Sequence, residues 1–332
     1  MNLGRGFTNF FDAKKKRKAG KKVRKVGFPK LKKKREEKQS FRMRNNRKQV
    51  RVNFDSITLS KFGAMRVKGS TRTLRRLLRE RPDGQCAKIL FVTVNHSAGR
   101  WHARINVEAC DLHAAQQHVA PEWAEPVGVD LGLTYMAVVG KSDGTVLEHI
   151  DNAPKPLKRA LKKLRIRNRD VARKKKAREA GSKKNRRKAL RRRARVYRKI
   201  RNQRRHYLHN LTSRLEKTHA HLVIEDLNIA GMVRNHKLAR SILDMGWGEW
   251  RRQLEYKAAW HKGRVTVAPW HFPSTKRCHK CRVIYPMPLG EKWFVCEPCG
   301  LRMPRDDNAS ANYRSGNCSR QKFSPRIDSI AC

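Results

Sequence analysis

Acidic residues are what this chain lacks most. Asp and Glu number 27 against 81 Lys and Arg, a formal net charge of +54, with a pI near 11.2. That excess goes beyond what solubility requires and points to a polyanionic partner. Long apolar runs are missing as well: no stretch approaches the roughly 20 apolar residues that span a bilayer. The N-terminus also lacks the apolar core segment of a signal peptide. These absences favour nucleic acid over a membrane surface and predict a cytoplasmic protein held at the nucleoid by DNA binding. Cysteine is sparse and unevenly spread. Of eight cysteines, Cys86, Cys110, Cys318 and Cys332 are scattered and the other four form two close pairs. Such usage excludes a disulfide framework and suits metal binding in a reducing compartment.

A length of 332 residues suggests about two domains. Residues 1–39 form a basic arm, with Lys14-Lys-Lys-Arg17 and Leu31-Lys-Lys-Lys-Arg35; Phe28 and Phe41 suggest that its later part folds onto something. From residue 40 to 125 the pattern turns strand-like. Val50-Arg-Val52, Ser56-Ile-Thr-Leu59 and Ala64-Met-Arg-Val67 alternate, and Asn95 to Arg100 reads as a hairpin connection between two longer strands. These strands predict a small antiparallel β-barrel or sandwich, a barrel that grips a nucleic-acid backbone being the sharper reading, with residues 111–126 as a linker.

The second domain, residues 126–316, opens on Val127-Gly-Val-Asp-Leu-Gly-Leu-Thr134. An apolar strand carrying one carboxylate, Asp130, must use or neutralise it, since an unpaired buried charge costs several kcal/mol or more. Tyr135 to Gly140 and Val146 to Ile150 complete a predicted three-strand meander. Residues 155–217 read as two antiparallel basic helices. Their apolar seam runs through Leu157, Leu161, Leu164 and Val171, then Leu190, Ala194, Tyr197, Leu208, Leu211 and Leu215. So positive a hairpin predicts phosphate contact. His221 to Leu227 is a buried strand ending in Glu225 and Asp226, residues 235–262 are helical with Trp247, Trp250 and Trp260 as core, and 263–268 is a further strand. Met303 to Asn312 begins a helix carrying Asp306 and Asp307.

Strand, strand and helix thus each place a carboxylate near an end, on a mixed sheet with helices on its faces. Asp130, Glu225 and Asp306 or Asp307 are hard oxygen ligands of the kind that two magnesium ions require for phosphodiester cleavage. Separately, Cys278-His-Lys-Cys281 and Cys296-Glu-Pro-Cys299 supply four thiolates for one tetrahedral, structural zinc. His279, inside the first knuckle, reads as a bystander.

Gly128-Val-Asp-Leu-Gly-Leu133, Val223-Ile-Glu-Asp-Leu-Asn228 and Arg305-Asp-Asp-Asn-Ala-Ser-Ala-Asn312 resemble the three motifs of the TnpB/OrfB family, transposon-encoded relatives of type V CRISPR effectors. Gly246-Trp-Gly-Glu-Trp250 and Phe272-Pro-Ser-Thr-Lys276 match stretches typical of the same family, and the likeness covers roughly residues 26–316. It implies an α/β RNase H-like (RuvC) nuclease domain with a helical-hairpin insertion at 155–217, a zinc finger at 274–303 and a tail at 317–332. It makes the β-barrel a wedge-like domain. In this register Asp306 is the third magnesium ligand and Asp307 fills a variable place. The implied activity is RNA-guided DNA cleavage by a monomer or homodimer, with a guide RNA and a double-stranded DNA target as partners. Family members usually begin with a wedge strand and a helical recognition bundle, of which Met1 to about Lys25 would be a remnant. Hence an alternative expectation is a cleavage-impaired, guided binder or regulator; another is a transposase that joins DNA ends.

Overall fold

The computed structural model describes residues 2–24, 26–29, 39–79, 87–109, 118, 124–179, 183–288 and 290–313. Most of the expected linker, the Gly181-Ser182 break, the tail 317–332 and the four scattered cysteines lie outside these. The chain divides into two compact units, with the boundary between residues 109 and 110. No helix among the described residues is long and apolar enough to cross a membrane.

The first unit begins with helix α1 (Asn2–Lys18). Phe28 packs edge-on against Phe7 and Phe10, with ring centroids 5.4 and 5.3 Å apart, so the basic arm starts with a helix and an aromatic clasp. The strands β1 (Ser40–Arg44), β2 (Val50–Val52), β3 (Ser56–Leu59) and β4 (Gly63–Arg66) precede a short helix α2 (Arg72–Leu78), and β5 (Lys88–Ser97) and β6 (Arg100–Glu108) follow. They form two three-stranded antiparallel sheets, β1-β5-β6 and β2-β3-β4, around one core of Val50, Ile57, Leu59, Ile89, Val92 and Val94. Asn45 joins the sheets, giving its amide to Ile89 O at 3.0 Å and accepting from Val50 N at 2.8 Å. The β5–β6 turn is tighter than its sequence suggested. It has two residues, Ala98 and Gly99, both at positive φ, the twist that matches a hairpin. Helix α2 was missed because its arginines mask a short apolar stripe.

The second unit holds a five-stranded sheet made of β7 (Val127–Asp130), β8 (Ala137–Lys141), β9 (Val146–Ile150), β10 (His221–Ile224) and β11 (Arg264–Val267). Their spatial order is β11-β10-β7-β8-β9. The meander β7-β8-β9 is antiparallel as expected, whereas β10 runs parallel to both β7 and β11. Between β9 and β10 stands the hairpin of α3 (Pro156–Glu179) and α4 (Lys183–Thr218). Its seam packs Leu164 of α3 against Val196 and Ile200 of α4. That corrects the phase expected for the first half of α4, where Tyr197 is 48% exposed and Ala189 is buried instead; Leu208, Leu211 and Leu215 in the second half are buried. Arg and Lys fill so many positions that two apolar phases fit the sequence, and packing against α3 selects between them.

After β10 come α5 (Ile229–Met232), α6 (Ala239–Met245) and α7 (Trp247–His261). The single expected helix is broken at Gly246, whose φ of 71° is a conformation that glycine adopts cheaply. Trp247 and Trp250 are buried, but Trp260 is 45% exposed, against expectation. A two-stranded hairpin, β12 (Trp293–Cys296) and β13 (Leu301–Pro304), leads into α8 (Arg305–Asn312).

Alternation of side chains along a strand decides which helices cover which face. Val127 and Val129 face a core shared with Leu208, Leu211, Leu215, Trp250 and Leu254 of α4 and α7. Gly128 faces the other way, where a Cβ would lie 1.9 Å from Ser310 O of α8. All four residues of β7 are buried, as expected of a strand covered on both faces.

Candidate active site

Asp130 is two residues beyond Gly128 and so points to the face that α8 covers. Glu225 follows Ile224, which pairs with Val129 in the parallel ladder, so the two acids stand side by side at the carboxyl ends of neighbouring strands. On the other flank, Asp130 pairs with Val138 and Val138 with His149, which brings His149 to the same face. Helix α8 starts over this row. Asp306 approaches the loop after β7, since a Cβ on Gly132 would lie 3.8 Å from Asp306 Oδ2. Asp307 turns instead to β9, where its Oδ1 meets His149 Nε2 at 2.7 Å, and the His149 ring packs tilted against Tyr135, with centroids 4.7 Å apart. The structure therefore brings Asp130, Glu225 and Asp306 together and gives Asp307 a different partner.

The electrostatics follow from burial and like charge. Asp130, 6% exposed, is pushed well above the usual carboxylate range by desolvation, then by Glu225 and Asp306; Arg305 opposes the shift. Glu225 is raised to about 7, chiefly by burial and then by Asp226. Asp226 itself is exposed and pairs with Arg251 at 2.5 Å. Among the described residues neither Asp130 nor Glu225 has an ion-pair partner. Asp306 pairs with the neighbouring Arg305 at 3.3 Å, whereas Asp130 and Glu225 are crowded, desolvated carboxylates of the kind that a divalent metal would relieve, so the oxygen donors present fit magnesium.

The four knuckle cysteines converge, with all four Sγ atoms within 4.8 Å of one another. Cys278 and Cys299 are 3.6 Å apart, and Cys281 and Cys296 3.3 Å. A zinc–sulfur distance of about 2.3 Å sets a tetrahedral edge near ~3.8 Å, so the cluster fits one metal ion held by four thiolates. His279 is no ligand to this cluster; its ring lies where a Cβ on Gly144 would be, 2.5 Å from Cε1.

Two asparagines that sequence reasoning passed over connect these sites. Asn308 accepts from His279 N at 3.0 Å and donates to Arg277 O at 2.7 Å. One helical turn on, Asn312 donates to Ser274 O and Arg277 O at 2.8 and 2.6 Å. Both are buried, and both tie the first knuckle to the helix that carries Asp306. Their i, i+4 spacing beside the acids was the available signal. Asp244 was likewise missed. Buried on α6, it caps α3 from outside, accepting from Leu157 N and Lys158 N at 2.9 and 3.0 Å and pairing with Arg204 at 2.9 Å.

The chain is similar to known proteins over most of its length. Residues 105–236 match a family described as "Probable transposase", and residues 247–313 match one described as "Cas12f1-like, TNB domain". A Mycobacterium tuberculosis protein named "Putative RNA-guided DNA endonuclease" is 35% identical over 303 residues, covering 89% of this chain and 62% of the relative. An Escherichia coli K12 protein of the same name, InsQ, is 32% identical over 327 residues, covering 94% of this chain and 71% of the relative. A cryo-EM structure of a CRISPR-Cas12f ternary complex aligns with 82% of this chain and 52% of that one, at 16% identity and a TM-score of 0.42. The chain thus spans somewhat under two thirds of the length of the mycobacterial relative. On the breadth of its match to the Escherichia coli protein, and on the transposase model over 105–236, the chain belongs to the TnpB/OrfB family.

Proposed function

We propose that this protein is an RNA-guided DNA endonuclease of a transposable element, with Asp130, Glu225 and Asp306 as its catalytic metal ligands. One observation carries the reading: two acids end adjacent parallel strands and a third opens the helix laid over them. Relatives named as putative RNA-guided DNA endonucleases support it.

Two magnesium ions, when bound, would activate a water and stabilise the leaving oxygen of a phosphodiester. The chain's own part is to fix the three carboxylates. Pairing of β7 with β10 sets the spacing of Asp130 and Glu225. Helix α8 sets Asp306, and Asn308 and Asn312 hold that helix to the zinc knuckle. Guide RNA and double-stranded DNA are the proposed partners, and base pairing would carry the sequence specificity. The first unit is assigned the wedge-like role and the α3–α4 hairpin that of a basic wall along the nucleic acid, its cations neutralising phosphates.

Changing Asp130 or Glu225 to Ala tests the assignment. Cutting should fall by several orders of magnitude while RNA binding stays near that of the parent, measured side by side. Normal cutting by both variants would remove the site.

A further inference from the structure

Beside the Asp244 cap lies a cavity of about 130 Å³ in the second unit. Its walls include Lys155 and Lys158 at the start of α3 and Arg240 and Ser241 on α6. The one acid there, Asp244, is already committed: Oδ1 accepts from Leu157 N and Arg204, and Oδ2 from Lys158 N. Lys155, Lys158 and Arg240 are exposed and, among the described residues, none has a carboxylate partner. Two lysines and an arginine therefore line one small space with a hydroxyl and no free anion. In a folded protein such a cluster repels itself, so it gains most from a ligand that brings negative charge. A volume equal to about four waters suits a single phosphodiester group.

One wall of the cavity belongs to the loop that follows β7. Leu133 lines it and stands three residues after Asp130, so their Cα atoms are at most about 11 Å apart.

We infer that Lys155, Lys158, Arg240 and Ser241 form a phosphate subsite that grips the backbone of single-stranded DNA near the carboxyl end of β7. The inference rests on the nuclease reading for its choice of DNA, and on the cavity alone for its phosphate chemistry. Arg240 supplies a planar fork for two phosphate oxygens and the lysines supply mobile point charges.

The test compares two triple variants of the full chain that remove equal charge. One is Lys155→Gln/Lys158→Gln/Arg240→Gln. The other is Lys217→Gln/Lys262→Gln/Arg264→Gln, at the opposite end of the sheet, where Arg264 begins β11. Affinities for short labelled single-stranded DNA and for RNA of the same length are measured by anisotropy in EDTA across a salt series. The cavity variant should bind DNA about tenfold more weakly than the control variant. Its salt slope should fall by about 0.7 for each phosphate that is no longer neutralised. Equal weakening in the two triples, or weakening confined to RNA, would overturn the inference. If the cavity triple fails to fold, judged by zinc content and melting, Arg240→Gln alone repeats the comparison against Arg264→Gln. No cleavage enters this measurement. Normal cutting by Asp130→Ala would sink the nuclease reading and leave this result standing.

Discussion

Gly128 pairs with Gly140 across β7 and β8, and the pair forms a bare patch on which Ser310 of α8 rests. A Cβ on Gly128 would meet the Ser310 backbone oxygen at 1.9 Å, whereas one on Gly140 would meet the Ser310 hydroxyl first, at 2.3 Å. Close seating brings the first turn of α8, and with it Asp306, down over Asp130 and Glu225.

That seating predicts an asymmetry between the two glycines. Gly128→Ala must lift α8, since backbone cannot yield; overpacking of this kind costs about 1–3 kcal/mol. A shift of about 1 Å in a reacting group can lower rate about 100-fold, and a drop of that order in cutting is expected, with zinc retained. Gly140→Ala should be milder and should be rescued by Ser310→Ala, which removes the hydroxyl it strikes. Comparable activity in Gly128→Ala and the parent would show that α8 does not position Asp306.

Disruption of the knuckle should reach the same helix. About one zinc per chain is expected by metal analysis, and Cys278→Ser or Cys296→Ser should remove it. Because Asn308 and Asn312 bond to backbone at Ser274, Arg277 and His279, zinc removal should also lower the melting temperature and weaken cutting. Undiminished zinc in both variants would contradict the four-thiolate site.

Burial of Glu225 gives a pH dependence with a definite sign. Its carboxyl holds a proton up to about 7 in the folded chain, against 4.5 for the free side chain, and Asp130 is raised in the same direction. The folded state binds more protons across that window, so metal-free protein loses stability as pH rises from about 4.5 to about 7. Below the lower value the contribution is fully present. Magnesium should reverse the trend, raising the melting temperature more at about pH 8 than at about pH 5.5. Glu225→Gln should flatten the metal-free profile; a profile unchanged by that substitution would show that Glu225 is not buried among acids.

The parts of this site that were legible in the sequence are those where chemistry restricts residue choice. Asp130 and Glu225 each interrupt or end an apolar run, and Cys278, Cys281, Cys296 and Cys299 stand in paired spacing, so few other readings compete. What escaped depends on partners distant in sequence. Asp244 looks like an ordinary surface acid of α6 until α3, more than 80 residues earlier, brings two unpaired N–H groups to it. Tyr197 and Val196 are equally plausible seam residues in a helix crowded with Arg and Lys, and packing against Leu164 decides for Val196. The split of 235–262 at Gly246 needed a backbone angle that the residue type permits but does not require.

The most direct measurement is cleavage of a plasmid library with randomised flanks, using the protein with its co-purified RNA and magnesium beside an Asp130→Ala control. Cutting at guide-matched sites that share a flanking motif, absent from the control, is the expected result. RNA bound but no cutting above the control would contradict the assignment of this chain as a nuclease.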